Sequence, residues 1–132
     1  MQDKNSLHVA VFGAGAFGRN HLRIYRQLQD QGVLLAAAVD TNPSTAEALR
    51  QEGLTVFPSA EACLQAYRSG EIHLDAVSVC VPTSAHFSVA SQALAQGLDV
   101  LLSPLQRSLH CLLDVRRCWS FAGTLWPSII KQ

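Results

Sequence analysis

Six residues, Gly13-Ala14-Gly15-Ala16-Phe17-Gly18, constrain this chain more than any other stretch. They follow directly on an uninterrupted apolar run, Val9 to Phe12, and open a segment of helical periodicity that extends from Ala16 to about Gln29. The cluster therefore sits at a strand-to-helix junction. There the first glycine permits a tight turn, the second leaves room for a diphosphate to reach the backbone, and the third lets helix and strand pack closely. The first N–H groups of a helix lack partners inside it and lie at the positive end of its dipole, so the turn suits an anion without any side-chain cation. Arg19, just inside the helix, is the nearest cation and is expected to add to this.

An acid stands where such a turn needs one. Asp40 closes the second apolar run, Leu34 to Val39, 22 residues after Gly18, with Thr41 beside it. That is close to the spacing of the carboxylate that hydrogen-bonds a ribose hydroxyl in dinucleotide-binding folds. A carboxylate there also repels a 2′-phosphate, and no Lys or Arg lies between Asp40 and Glu47 to offset it. The expected ligand is NAD, with NADP disfavoured. Gly13, Gly15, Ala16, Phe17, Gly18, Asp40 and Thr41 form the predicted site.

The rest of the chain fits the same architecture. Further apolar runs occur at Ala76 to Val81 and Val100 to Leu102, with a weak strand at Thr55 to Phe57. Their lack of polar alternation is what parallel strands covered on both faces show. Helical segments lie between them. In the first, Phe17, His21, Ile24, Tyr25 and Leu28 are expected to face the core. Asn42-Pro43 reads as a cap and first helical residue, with the helix running through Leu49 to near Gly53. Ser59 is expected to cap a helix bearing Leu64 and Tyr67. Ser84 is expected to cap one bearing Val89, Ala90, Ala93 and Leu94 that ends at Gly97. The prediction is an α/β fold, a Rossmann-type parallel sheet with helices on both faces, in a single domain; 132 residues suffice for one core.

Residues 1–102 form the expected dinucleotide-binding domain, and 103–132 a divergent tail, helical at first. The first part holds sixteen alanines and a net charge of minus three, the tail one alanine and plus three. Ser103-Pro104 can start a helix with Leu105, Leu109, Leu112 and Leu113 on one face. Trp119, Trp126, Ile129 and Ile130 offer apolar surface for a second copy or a partner chain. A shift of reading frame near Ser103 would leave the same break.

Other classes are disfavoured. The formal net charge is zero, with hydrophobic residues at 48% and charged residues at 15%, so no basic field draws the chain to nucleic acid or anionic lipid. The longest apolar run, Val33 to Val39, is far short of the roughly 20 residues a membrane span needs. The polar start, Met1 to Asn5, offers no signal peptide, and a cytoplasmic location is expected. Cys63, Cys80, Cys111 and Cys118 show no ligand spacing and read as reduced thiols, so no metal site is expected. His8, His21, His73 and His110 read as packing or surface residues.

Several stretches, taken in order, resemble the N-terminal half of the Gfo/Idh/MocA oxidoreductases, the family of glucose-fructose oxidoreductase and inositol dehydrogenase. They are Val9 to Arg19, Ala38-Val39-Asp40, Asp75 to Thr83 with His86, and Ala93 to Gly97. The resemblance spans roughly residues 7–102. It implies that Val81, Pro82 and Thr83 lie along the nicotinamide side of the cofactor, with His86 nearby. It also implies a Glu-Lys-Pro after the fifth strand, whose lysine orients substrate and transfers protons. This chain instead reads Leu102-Ser103-Pro104, and its only lysines are Lys4 and Lys131. No catalytic residue is therefore assigned. The sequence reading is a cofactor-binding domain without turnover of its own. Two alternatives stay open: an oxidoreductase completed by another chain, and a non-enzymatic module whose contacts depend on bound dinucleotide.

Overall fold

The computed structural model describes residues 6–102 and the strand at 118–120, with the backbone alone at Phe17, Thr83 and 118–120. Strands and helices alternate: β1 (Leu7–Phe12), α1 (Ala16–Gln27), β2 (Val33–Val39), α2 (Pro43–Gln51), β3 (Val56–Phe57), α3 (Ala60–Ser69), β4 (Ala76–Val79), α4 (Thr83–Ala95), β5 (Asp99–Leu102) and β6 (Cys118–Ser120). The six strands form one sheet in the order β3-β2-β1-β4-β5-β6, and every pairing is parallel. The chain winds outward in one direction from β1 and in the other from β4. The reversal falls between β1 and β4, and ligands of such sheets bind at that point, beyond the carboxyl ends of the strands.

Alternation along the strands builds two cores. Ala10 and Phe12 of β1 point to one face, where they join Val77, Val79, Val100 and Leu102 under Cys63, Leu64, Ala90 and Ala93 of α3 and α4. Val9 and Val11 point to the other, under Leu22 and Tyr25 of α1 and Ala46 and Leu49 of α2. Both faces are covered, which is why the strands read as unbroken apolar runs. Ser78 is a buried polar residue on the α1 face, and its hydroxyl is hydrogen-bonded to that of Tyr25.

Three local expectations need correction. The face α1 buries is Gly18, Leu22 and Tyr25; Ile24 is 38% exposed, while His21 and Leu28 lie at the edge. Close packing at Gly18 centres the contact one residue beyond the predicted stripe. Helix α1 also ends at Gln27, and a short 3₁₀ turn, Gln29–Gln31, leads to Gly32 at φ 87°. Finally, α4 is preceded by Pro82 at its N-cap, so Ser84 falls inside the first turn and makes no cap. Asn42 and Ser59 do cap as expected: Asn42 Oδ1 accepts from the Ser44 N–H at 2.9 Å and Ser59 Oγ from the Ala62 N–H at 3.1 Å.

Among the described residues, the tail joins the sheet at Cys118–Ser120. The backbone of Cys118–Ser120 pairs with Val100–Leu102, giving an edge strand that the sequence reading did not contain. The predicted helix on Leu105, Leu109, Leu112 and Leu113 and the apolar Trp126, Ile129 and Ile130 lie outside the described residues. Among the described residues, no helix is long and apolar enough to cross a membrane.

Candidate functional site

The turn after β1 and the turn after β4 touch. Gly13 has φ +97°, and a Cβ there would meet the Cys80 carbonyl oxygen at 2.7 Å. Glycine is required twice over, by backbone conformation and by contact. Gly18 is equally constrained: a Cβ would overlap the Gly13 carbonyl group, whose carbon is 2.7 Å away. That contact lets α1 start directly against the end of β1.

Gly15 differs. Its φ of −71° suits any residue, and nothing lies within 4 Å of the place a Cβ would occupy. Neither conformation nor packing explains its missing side chain. Gly15 also lines a cavity of about 690 Å³, together with Gly13, Ala14, Asp40, Thr41, Val81 and Pro82. That volume is in the range of small-molecule and cofactor sites.

Helix ends make the same distinction. Helices α2 and α3 are capped by their own side chains, whereas α1 and α4 have no side-chain cap and no acidic residue in the first turn. These two helices start at the β1/β4 switch point. Their amides and dipoles are directed at the cavity end of the sheet, where an anion would complete them.

Asp40 ties the two halves of this site together. Its Oδ2 accepts the Ala14 N–H at 3.0 Å and its Oδ1 accepts the Asn42 N–H at 2.7 Å. The carboxylate is thereby fixed against the glycine turn with lone pairs left to accept further hydrogen bonds.

The predicted residues are not all used alike. Gly13, Gly15, Asp40, Thr41, Val81 and Pro82 line the cavity. Ala16 and Phe17 supply the backbone of the first turn of α1, and Thr83 begins α4. Gly18 is buried below the turn. His86 is fully buried, with no hydrogen-bond partner on either ring nitrogen. It shares a helix face with the buried Ala90 and Ala93, while Ala85 and Val89 face the cavity. Of the predicted residues, His86 therefore lies behind the cavity wall and not on it. Arg19 lines a separate groove with Arg23 and Arg26 on the outside of α1, which leaves anion stabilisation at the turn to the backbone.

Sequence reasoning did not name the rest of the wall: Phe12, Val39, Ser59, Ala60, Cys80, Ala85 and Val89. The only advance signal was position, since Ser59 lies two residues after β3 and Cys80 directly after β4. Burial raises the thiol pKa of Cys80 to about 12, so the thiol is uncharged at neutral pH.

Comparison with known proteins agrees with this fold. The family model described as the NAD-binding Rossmann fold of the oxidoreductase family GFO_IDH_MocA matches residues 7–107. The UDP-N-acetylglucosamine 3-dehydrogenase of Acidithiobacillus ferrooxidans is 33% identical over 97 residues, which are 73% of this chain and 28% of that protein. Its solved structure superposes with a TM-score of 0.60, covering 74% of this chain and 29% of the other. The WlbA dehydrogenase of Bordetella pertussis, solved with NADH and UDP-GlcNAcA, has a TM-score of 0.64 at 23% identity, covering 74% and 29%. The scyllo-inositol dehydrogenase of Lactobacillus casei, solved with NAD(H) and scyllo-inositol, has 0.64 at 24%, covering 74% and 27%. These last two share the fold. This chain spans less than a third of the length of any of the three. It belongs to the Gfo/Idh/MocA oxidoreductase family, and residues 7–107 are that family's NAD-binding Rossmann fold.

Proposed function

We propose that this chain binds NAD(H) in the cavity at the β1/β4 switch point and, as the 132-residue polypeptide, turns over no substrate. Gly15 carries the reading: its bare backbone faces open space beside an uncapped helix start, and a diphosphate is the ligand that explains both. Asp40 accepts a ribose hydroxyl and disfavours a 2′-phosphate, with Thr41 beside it. Gly13 and Gly18 shape the turn, and Ala16 and Phe17 contribute first-turn backbone. The nicotinamide lies toward Val81, Pro82 and Thr83, where His86 supports the start of α4 from beneath. When bound, the nicotinamide supplies hydride exchange; the protein's own part here is to bind and orient it.

Absence of turnover rests on the sequence after β5. The resemblance places a lysine there, and this chain has Leu102-Ser103-Pro104 with no lysine between Lys4 and Lys131. Proton transfer requires a group of suitable pKa within hydrogen-bond reach of the reacting hydroxyl, and the described cavity wall offers no such base. Asp40, its one carboxylate, is placed for the ribose. The relatives' dehydrogenase activities on nucleotide sugars and inositols define the substrates to try.

A fluorescence titration with NADH, followed by assays with inositols and UDP-sugars plus NAD, tests both parts. Saturable binding without turnover is expected. No binding by folded protein refutes the cofactor site, and turnover by pure protein refutes the second part.

A further inference from the structure

At the opposite end of the sheet, parallel pairing brings His8 to His73 and Asp75, which are far from it in sequence. Val9 of β1 pairs with Ala76 of β4, which sets His8 beside Asp75. Two backbone-anchored bonds hold them: the His8 N–H donates to Asp75 Oδ2 at 2.8 Å, and the Asp75 N–H donates to the His8 carbonyl at 2.8 Å. His73, two residues before Asp75, directs Nε2 to Asp75 Oδ1 at 3.2 Å. His8 Nδ1 lies 3.5 Å from Asp75 Oδ2. The two imidazoles meet edge to face at 4.8 Å between centroids.

We propose that His8, His73 and Asp75 form a site for a divalent transition-metal ion such as Zn²⁺. One donor atom from each residue fits within 4.8 Å of the other two. Ligands about 2.1 Å from a tetrahedral ion stand about 3.4 Å apart, and each imidazole is already near that distance from one Asp75 oxygen, His8 Nδ1 at 3.5 Å from Oδ2 and His73 Nε2 at 3.2 Å from Oδ1. The remaining separation closes by rotation of His73, whose side chain is 48% exposed. Two imidazoles and one carboxylate suit zinc, copper, nickel or iron, and leave coordination positions for water. Calcium and magnesium prefer all-oxygen sites.

A second observation sets this cluster apart from an ordinary surface pair. His8 Nδ1 is buried and makes no hydrogen bond in the ligand-free protein, although it points into the cluster. A buried polar atom without a partner is costly, and coordination would satisfy it. Asp75 is already oriented by the His8 N–H, an outer-shell bond of the kind that fixes metal-ligating carboxylates. His8 and His73 are 65 positions apart, so the set becomes visible only when β1 is placed beside β4.

The test is a calorimetric titration of the full chain with ZnSO₄, with Co²⁺ absorption as a spectroscopic check. One equivalent should bind, and His73→Ala should weaken binding by more than about 100-fold, since loss of an outer-shell partner alone typically costs 10–100-fold. His73 is half-exposed, so that variant should keep the fold, which NADH binding or circular dichroism verifies. Co²⁺ should show ligand-field bands without thiolate charge transfer. Failure to bind Zn²⁺, equal binding by His73→Ala, or a sulfur charge-transfer band that assigns the ion to cysteine would each overturn the proposal. Because this cluster and the glycine turn are at opposite ends of β1, either site can fail without the other.

Discussion

Replacing Gly15 by alanine separates a glycine kept for a ligand from glycines kept for the fold. In the folded chain the new methyl group meets no atom within 4 Å, and φ is −71°, so neither clash nor backbone strain arises. Two small effects oppose each other. Alanine restricts the unfolded chain, which stabilises by about 0.4–1 kcal/mol, while alanine at an N-cap is less favourable than glycine by a similar amount. Net stability should stay within about 1 kcal/mol of wild type. Binding should behave otherwise, because the methyl occupies the space through which a diphosphate reaches the first amides of α1. Loss of one charge-assisted hydrogen bond costs about 1.5–3 kcal/mol, or roughly 10- to 100-fold in Kd for NADH. Gly18→Ala is the contrast: its Cβ overlaps the Gly13 carbonyl group, and relieving that overpacking costs about 1–3 kcal/mol or more. Its Tm should fall by at least roughly 4 °C. Thermal melts and NADH titrations on both variants decide the matter. A Gly15→Ala protein that binds NADH as tightly as wild type would refute the reasoning, as would one that unfolds like Gly18→Ala.

Three further outcomes follow from the same structure. Asp40→Asn should weaken NADH binding by about 10-fold or more and narrow the preference over NADPH, since it removes the charge that repels a 2′-phosphate and one acceptor of the Ala14 and Asn42 bonds; parallel titrations with both nucleotides check this, and an unchanged ratio contradicts it. Cys80, with its thiol raised to about pH 12 and set in the cavity wall, should alkylate slowly with iodoacetamide at pH 8 and more slowly still with NADH present, whereas Cys63, outside that wall, should show no ligand protection; peptide mapping by mass spectrometry reads each thiol separately. Stability should fall above about pH 9, because unfolded thiols release protons from there while burial holds the Cys63 proton to about pH 12. The neutral-thiol advantage is complete below pH 9 and is lost across that window at up to about 1.4 kcal/mol per pH unit. Urea unfolding from pH 8 to 11 should show a shallower decline for Cys63→Ala, and equal slopes would count against the buried neutral thiol.

What could be read from the chain in advance follows from the range of the interaction involved. The strands, the glycine turn and Asp40 were legible because each is a short-range pattern: apolar runs, a strand-to-helix junction, a fixed distance to an acid. The sheet-facing stripe of α1 was displaced by one residue because the close approach at Gly18 sets the helix rotation, and periodicity alone does not encode that contact. Ser84 looked like a cap from its residue type, yet Pro82 fixes an extended backbone two residues earlier and the helix follows it. The remote wall of the cavity, from Ser59 to Cys80 and Val89, depended on strand order.

His8, His73 and Asp75 show the limit of sequence pattern most clearly. As separate residues each has an ordinary role, and only the β1/β4 register brings His8 to the other two. The cofactor site differs in kind, because its sequence records what the polypeptide does not satisfy by itself. Asn42 and Ser59 complete α2 and α3 from within the chain, and Gly13 and Gly18 are explained by atoms of the protein. At Gly15 and at the bare starts of α1 and α4 no such internal explanation exists. Where local rules are broken without an internal compensation, the missing partner lies outside the chain. On the proposed function, the diphosphate of a dinucleotide would supply that partner at Gly15 and the start of α1.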